Sequence, residues 1–314
     1  MNAPGYRRIE MINRICLLLM LMSAQPGLAA EGMADSGPAE TDSLVIDRIE
    51  RERAVQDNRS VLLAHKRNYL LPLTYAARPN DDVFEAGSSD FGEDLDNVEI
   101  QFQLSIKAAL AEGLFTEQDA LLVGATVRAF WQAYNGDISA PFRETNYEPE
   151  LFWLTPVPWK VLGGDASLFA LGFSHQSNGR SQPFSRSWNR LYASVIWERW
   201  RYVFQFKAWW RIPEDEKDDP LDSDGDDNPD IEDFLGNFEF TTAYRKNDYE
   251  VSVMLRNNLE REDNRGAIQV DLTFPLQRRF RGYLQFFNGY GESLIDYDAH
   301  IERIGIGILL SDLL

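Results

Sequence analysis

The sequence lacks several features that would place it in common classes. It has one cysteine, Cys16, three histidines, and a net charge of −19 at pH 7. Beyond residue 30, no apolar run approaches the roughly 20 residues that a spanning helix needs. An acidic surface argues against a nucleic-acid partner and suits loops that gather cations. Only helices and closed β-barrels pair every backbone polar group within a membrane. If the chain crosses a membrane, it must therefore do so as a β-barrel.

The first 30 residues have the pattern of a secretory signal peptide. Basic residues precede a short apolar core at 15–22, and Ala29 closes a small-x-small cleavage pattern. The core is too short for a spanning helix, and a buried helix is the alternative. We predict a signal peptide over residues 1–30. Its removal takes Cys16 with it, which leaves an exported chain without a disulfide.

Two further regions follow the predicted signal peptide. Residues 31–60 are polar and charged, and we predict a flexible N-terminal arm there. From 61 to 314 the pattern has a period of two, most clearly at 97–108, which is typical of strands between an apolar and a polar medium. A secreted β-sandwich is the alternative, but a sandwich rarely buries charges such as Glu99 and Lys107 on its inward side.

About twelve segments share this alternation, an even number as in closed outer-membrane barrels. The predicted strands are 61–77, 97–109, 119–134, 148–159, 166–177, 188–198, 201–212, 236–246, 248–258, 265–274, 279–289 and 301–311. Short turns on one rim alternate with long polar loops on the other, as in such barrels. The sequence therefore predicts an all-β fold, a membrane-spanning antiparallel barrel over residues 61–314.

A polar cluster ends one of the apolar strands, in the stretch LGFSHQSNGRSQPFSRSWNRL from Leu171 to Leu191. His175 and Ser177 share the parity of the bulky apolar residues in their strand, which face lipid in a barrel. Asn189, on the next strand, also has outward parity. Polar groups facing lipid must bond to one another, and histidine, serine and an amide can form a hydrolytic set. A polar rim that contacts lipid head groups is the alternative.

Four stretches resemble the outer membrane phospholipase A family. They are HQSNGRSQPFSRSWNR, PFRETNYEP at 141–149, DDNPDI at 226–231 and YGESLIDY at 290–297. The resemblance runs from about residue 60 to the end of the chain. It implies a twelve-stranded barrel in the bacterial outer membrane that hydrolyses acyl esters of phospholipids, with phospholipase A1, A2 and lysophospholipase activity. It also implies a need for calcium and a homodimer that is active, with an inactive monomer.

The resemblance also implies roles for residues in the polar cluster. Ser177 would be the nucleophile and His175 the general base. Asn189 would orient the imidazole ring of that histidine. The backbone amide of Gly179 would help to form the oxyanion hole.

The calcium expected from the resemblance would supply positive charge where the oxyanion forms. Its ligands would be the Arg180 carbonyl, the Ser185 hydroxyl and the carbonyl of Ser139 in the partner subunit. A second site, associated with the monomer, matches Asp227. The usual acidic partner of that carboxylate is Gln182 here, which predicts a weakened second site.

Other features of the sequence allow more than one interpretation. Val127 matches a polar glutamine of the family's dimer interface, which predicts a change in dimer strength. The acidic stretch from Glu214 to Asp233 is either a solvated extracellular loop or a calcium-binding loop, since Asp222, Asp224 and Asp226 alternate around a glycine. A passive outer-membrane channel and a cation-binding barrel without catalysis are the alternatives to an enzyme.

Overall fold

The computed structural model describes residues 43–56, 62–85, 95–219, 221–277 and 280–311. The predicted signal peptide lies outside the described residues. Within the described residues the helices are α1 (Leu44–Gln56), α2 (Asp82–Glu85) and α3 (Ile231–Leu235). The strands in that part of the chain are β1 (Leu63–Ala64), β2 (Asn68–Ala76), β3 (Val98–Glu112), β4 (Ala120–Trp131), β5 (Phe142–Pro156), β6 (Lys160–Val161), β7 (Gly164–Ser177), β8 (Ser187–Arg199), β9 (Tyr202–Ile212), β10 (Phe238–Lys246), β11 (Tyr249–Asn257), β12 (Gly266–Gln277), β13 (Phe280–Gly289) and β14 (Ile301–Ser311).

The twelve long strands form a closed antiparallel barrel. Each pairs with the next long strand along the chain, and β14 pairs with β2 to close the sheet. The two-residue strands β1 and β6 add short pairings to β3 and β7. The predicted barrel of about twelve strands is therefore confirmed. Short turns such as 200–201 and 247–248 lie on one rim, and long loops lie on the other.

One strand begins earlier than its sequence indicates. β5 starts at Phe142, within the stretch 135–147 that lies between the predicted strands 119–134 and 148–159. Glu144 and Asn146 point into the barrel and are buried, with the Asn146 amide 2.6 Å from the Glu144 carboxylate. The stretch looks like a loop in sequence because its inward residues are polar and its outward residues are not uniformly apolar.

The outer surface of the barrel is apolar and its inner surface is polar, as the alternation predicts. On β3, Leu104 and Ile106 point outward and are 53% and 42% exposed, whereas Glu99 and Gln101 are buried inside. An apolar outer face and a polar interior are what a barrel in a lipid bilayer requires. The predicted orientation of this strand is confirmed.

Buried ion pairs cross the interior of the barrel. Glu99 lies 3.0 Å from the Arg143 guanidinium and 2.7 Å from that of Arg303. Arg143 also contacts Asp296 at 2.6 Å, and Asp296 belongs to the segment between β13 and β14 that folds inward. Charges buried this deeply are tolerated because each has an opposite charge in contact. The long-loop rim is therefore tied to the barrel wall through its interior.

Helix α1 packs against the barrel interior near the short-turn rim. The Val45 amide donates a hydrogen bond to Glu198 at 2.6 Å, and Glu52 pairs with Lys107 at 2.7 Å. The helix also borders an interior cavity of about 440 Å³. Within the flexible arm that we predicted over 31–60, residues 44–56 therefore form a helix, while 31–42 and 57–60 lie outside the described residues. Among the described helices, none is long and apolar enough to cross a membrane.

Candidate active site

The polar cluster lies on the outer face of the barrel at the long-loop rim. His175 and Ser177 end β7, and Asn189 lies on β8 as the direct cross-strand partner of His175. Further down β7 the same face carries Leu171, which is 54% exposed, whereas Ser174 on the opposite face is fully buried. The side chains of His175, Ser177 and Asn189 therefore lie on the outer, lipid-facing side of the sheet, as their parity predicts.

His175 and Asn189 are joined by a side-chain hydrogen bond. The imidazole Nδ1 lies 2.9 Å from the Asn189 Oδ1. An amide oxygen can only accept, so Nδ1 carries the hydrogen, and Nε2 of the neutral ring keeps a lone pair. Ser177 follows two residues later on the same face. Within the described chain no hydrogen bond joins it to His175, and catalytic hydrogen bonds often form only when substrate binds.

Sequence reasoning missed a carboxylate behind Asn189. The Asn189 Nδ2 donates a hydrogen bond to Glu214 Oε1 at 3.0 Å. Glu214 follows β9, whose last residue, Ile212, is the cross-strand partner of Asn189. The signal was available, because Glu214 has the same parity as Ile212 and continues the outward face beyond the strand.

The turn after Ser177 is shaped by a glycine and an asparagine. Gly179 has a φ of +66°, a conformation that favours glycine, and a Cβ there would lie 3.5 Å from the Tyr147 ring. The Asn178 side-chain oxygen accepts hydrogen bonds from the backbone amides of Arg180 and Arg186, at 3.3 and 3.0 Å. These contacts fold the loop 178–186 back over the end of β7, so the Gly179 amide lies in the turn that directly follows the serine.

Two of the predicted calcium ligands lie in this same loop. The Ser185 hydroxyl donates a hydrogen bond to Asp227 Oδ2 at 2.6 Å, which leaves its lone pairs available to a cation. The Arg180 side chain points to the buried Glu144 at 3.1 Å. Ser139 is exposed in a different loop, between β4 and β5. Hydroxyl and carbonyl oxygens are ligands that calcium accepts, so these donors fit the ion in kind.

Asp227 is already held by three donors. Lys217 Nζ lies 2.6 Å and Gln182 Nε2 lies 2.7 Å from its Oδ1, and Ser185 occupies Oδ2. Burial alone would raise the pKa of Asp227, but the hydrogen bonds from Lys217, Ser185 and Gln182 outweigh it and hold that pKa below its usual value. An ammonium group stands where a cation would bind. The predicted calcium site at Asp227 therefore gains no support from this geometry.

The acidic stretch from Glu214 to Asp233 was a second candidate for calcium binding. Among the residues that the structure describes, no group of three or more His, Cys, Asp or Glu side chains is arranged to hold a metal. Asp226 pairs with Arg211 at 2.5 Å, and the Asp222 carboxylate accepts a hydrogen bond from the backbone of Asp219. The first contact joins the loop to the end of β9, and the second lies within the loop.

Comparison with known proteins decides the family. The phospholipase A1 family model matches residues 45–310. The chain belongs to the phospholipase A1 family. The phospholipase A1 of Klebsiella pneumoniae is 31% identical over 302 residues, which are 96% of this chain and 99% of that protein.

Solved structures of two relatives resemble this phospholipase. One is of the Salmonella typhi outer membrane phospholipase, a dimer with bound calcium. It is 33% identical to this chain with a TM-score of 0.74, and the alignment covers 82% of this chain and 94% of the Salmonella chain. The other is of Escherichia coli outer membrane phospholipase A with an active-site asparagine replaced by alanine. It is 32% identical to this chain with a TM-score of 0.74, and the alignment covers 82% of this chain and 95% of the Escherichia coli chain. This phospholipase is thus a multi-pass barrel of the bacterial outer membrane that hydrolyses phospholipid esters.

The position expected at a dimer interface lies beside the candidate active site. Val127 on β4 is the cross-strand partner of Leu104 on one side and of Tyr147 on the other. Tyr147 in turn is the partner of Ser177. Val127 and Ser177 therefore belong to one row of residues across the outer face of the phospholipase.

Proposed function

We propose that the chain is a calcium-dependent, serine-type phospholipase A1/A2 with lysophospholipase activity, using Ser177, His175 and Asn189. The observation that carries this proposal is the hydrogen bond between His175 Nδ1 and Asn189 Oδ1, 2.9 Å long, on the lipid-facing side of the barrel beside Ser177. A bond of this kind holds the imidazole ready to accept a proton from a neighbouring serine. A polar rim that only contacts head groups would not require this orientation.

The reaction follows from these groups. Ser177 Oγ attacks the acyl carbonyl carbon, and its proton passes to His175 Nε2. The bond from that carbon to the glycerol oxygen then breaks, and His175 returns the proton to the leaving oxygen. Water, deprotonated by the same nitrogen, then attacks the acyl carbon. The bond from that carbon to Ser177 Oγ breaks, and His175 returns the proton to Ser177 Oγ as the fatty acid leaves. Asn189 Oδ1 stabilises the imidazolium in each step, and the Gly179 amide donates to the oxyanion.

The outer position of the site explains how substrate reaches it. Leu171 and Phe173 on β7 and Leu191 on β8 are exposed on the same face, below the polar cluster. Acyl chains of a membrane phospholipid lie at this depth, and its ester groups lie near the rim. The ester therefore reaches Ser177 by lateral movement in the membrane.

Calcium and a partner subunit complete the proposed site. The Ser185 hydroxyl, the Arg180 carbonyl and the partner's Ser139 carbonyl would hold the ion, which supplies positive charge to the oxyanion when bound. The dimer of the Salmonella typhi relative with bound calcium supports this proposal. The active form would then be a homodimer, and the monomer would be inactive because its ligand set is incomplete.

The experiment is acyl release from phospholipid in detergent, with calcium and then with a chelator. Ser177→Ala should fold and lose hydrolysis, and the matched Ser223→Ala, at an exposed serine of the acidic loop, should keep it. Hydrolysis by Ser177→Ala near the wild-type rate would refute the nucleophile assignment. Full activity in chelator would refute the need for calcium.

The active-site asparagine of the Escherichia coli relative supports a role for Asn189 in particular. In this chain Asn189 is the asparagine bonded to the histidine of the cluster.

We also propose that residues 1–30 are a signal peptide removed on export. N-terminal sequencing of the protein purified from outer membranes tests this, and a mature chain that begins at Met1 would contradict it.

A further inference from the structure

Asn189 makes a hydrogen bond at each end of its amide. Its Oδ1 accepts from His175 Nδ1 at 2.9 Å, and its Nδ2 donates to Glu214 Oε1 at 3.0 Å. The amide is therefore the middle member of a chain that begins at the histidine and ends at a carboxylate. The proposed roles of the histidine, serine and asparagine leave this carboxylate without a function.

The orientation of that amide decides which proton the histidine carries. If the amide rotates by half a turn, its NH₂ group faces Nδ1, and the neutral ring must then carry its hydrogen on Nε2. In that tautomer Nε2 cannot accept the serine proton. Among serine hydrolases, the wrong tautomer costs on the order of 10⁴ in kcat. A neutral asparagine needs something that distinguishes its oxygen from its nitrogen.

Glu214 makes that distinction. An ionised carboxylate only accepts hydrogen bonds, so it bonds the NH₂ end and repels the oxygen end of the amide. Its negative charge also lies on the far side of Asn189 from the histidine, where it favours the positive imidazolium formed during the reaction. The pair Asn189 and Glu214 thus does together what one buried aspartate does in a Ser–His–Asp triad.

We propose that Glu214 is a positioning residue of the hydrolytic site, and that it acts through Asn189. The inference rests on the proposed Ser177 mechanism. The position of Glu214 is fixed by the fold, because it follows β9 after Pro213, whose ring restricts the backbone.

Ion pairs on both sides of Glu214 hold its loop in place. Before it, Arg211 pairs with Asp226 at 2.5 Å, and after it, Lys217 pairs with Asp227 at 2.6 Å. These pairs hold the loop against the rim independently of Glu214. A substitution of Glu214 therefore removes the contact to Asn189 without releasing the loop.

The first test is a double-mutant cycle on acyl release from phospholipid in detergent with calcium. Glu214→Ala should lower kcat about tenfold with KM within about twofold, the loss typical of one charged hydrogen bond. Glu216→Ala, which removes an exposed glutamate two residues later in the same loop, should match the wild type. In an Asn189→Ala background, Glu214→Ala should cause no further loss, because its target is gone.

The second test exchanges the donor and acceptor groups. Asn189→Asp places a carboxylate against Glu214 and should lose most of its activity. Adding Glu214→Gln restores a donor to that carboxylate, and the double variant should regain at least tenfold in kcat. A residue that only supports the loop would not give this rescue. Heat-modified gel mobility shows that each variant contains a folded barrel.

Three results would each overturn the proposal. The first is a wild-type kcat in Glu214→Ala. The second is a fall in kcat on Glu214→Ala that is as large in the Asn189→Ala background as in the wild type. The third is a failure of Glu214→Gln to restore kcat in Asn189→Asp. Each would show that Glu214 does not act through the amide. Ser177→Ala is assayed beside these variants to separate this outcome from a failure of the proposed function. If hydrolysis depends on Ser177 and any of these results is found, only the role of Glu214 is refuted and the proposed function stands.

Discussion

Removing the amide of Asn189 should reduce catalysis without abolishing it. Asn189→Ala deletes the acceptor that lies 2.9 Å from His175 Nδ1, on a half-buried surface. The bond joins an amide to a ring that becomes charged during the reaction. Hydrogen bonds to charged groups contribute about 1.5–3 kcal/mol, which corresponds to a fall in kcat of about 10- to 100-fold. The serine and the base remain, so the residual rate should stay above that of Ser177→Ala.

The assay is the rate of fatty-acid release from mixed phospholipid–detergent micelles at saturating calcium, with kcat and KM determined separately. Asn288→Ala is the matched control, because Asn288 also lies on an outward strand face near the long loops and its amide contacts a glutamate, Glu302, at 3.5 Å. The control should retain wild-type kcat. If folded Asn189→Ala also retained it, the orienting role of this amide, and with it the interpretation of the cluster as a hydrolytic site, would be wrong.

Three further predictions address the calcium loop, the barrel face and the interior. Ser185→Ala should raise the calcium concentration needed for activity about tenfold or more. It should also weaken the calcium-dependent dimerisation measured by sedimentation, since calcium binding and dimerisation are coupled. Unchanged values for both would count against Ser185 as a calcium ligand. Spin labels at Ile106 should be accessible to oxygen from the bilayer and labels at Gln101 should not, and the reverse pattern would invert the strand. Arg143→Met leaves two buried carboxylates without their shared partner and should cost about 3–5 kcal/mol in unfolding free energy, whereas exposed Arg261→Met should cost little; equal effects would argue against the interior network.

The barrel was predictable because its signal is local. Along β3, alternate residues differ in polarity, and most strands of the barrel repeat this pattern in sequence, the start of β5 being an exception. The same alternation is sufficient to predict that His175, Ser177 and Asn189 lie on the outer face. The resemblance of four stretches to the outer membrane phospholipase A family added the expected chemistry, and the family itself is confirmed.

The features that sequence reasoning missed depend on contacts between distant residues. Helix α1 has only a weak apolar face, and its place is set by the contacts of Val45 and Glu52 with the barrel. The outward parity of β9 indicates the face on which Glu214 lies but not its partner, and Lys217 belongs to a stretch dense in acidic residues that has no periodicity. Only the folded loop shows that one reaches Asn189 and the other reaches Asp227.

The most direct test of the account is to identify the residue that a phospholipid-like fluorophosphonate modifies in the membrane-embedded protein. Peptide mass spectrometry after labelling with calcium should find the adduct on Ser177. Labelling should be slow in chelator and absent in Ser177→Ala. An adduct on another serine, or full hydrolysis in a protein whose Ser177 remains unmodified, would contradict the assignment of Ser177 as the nucleophile on the lipid-facing side of the barrel.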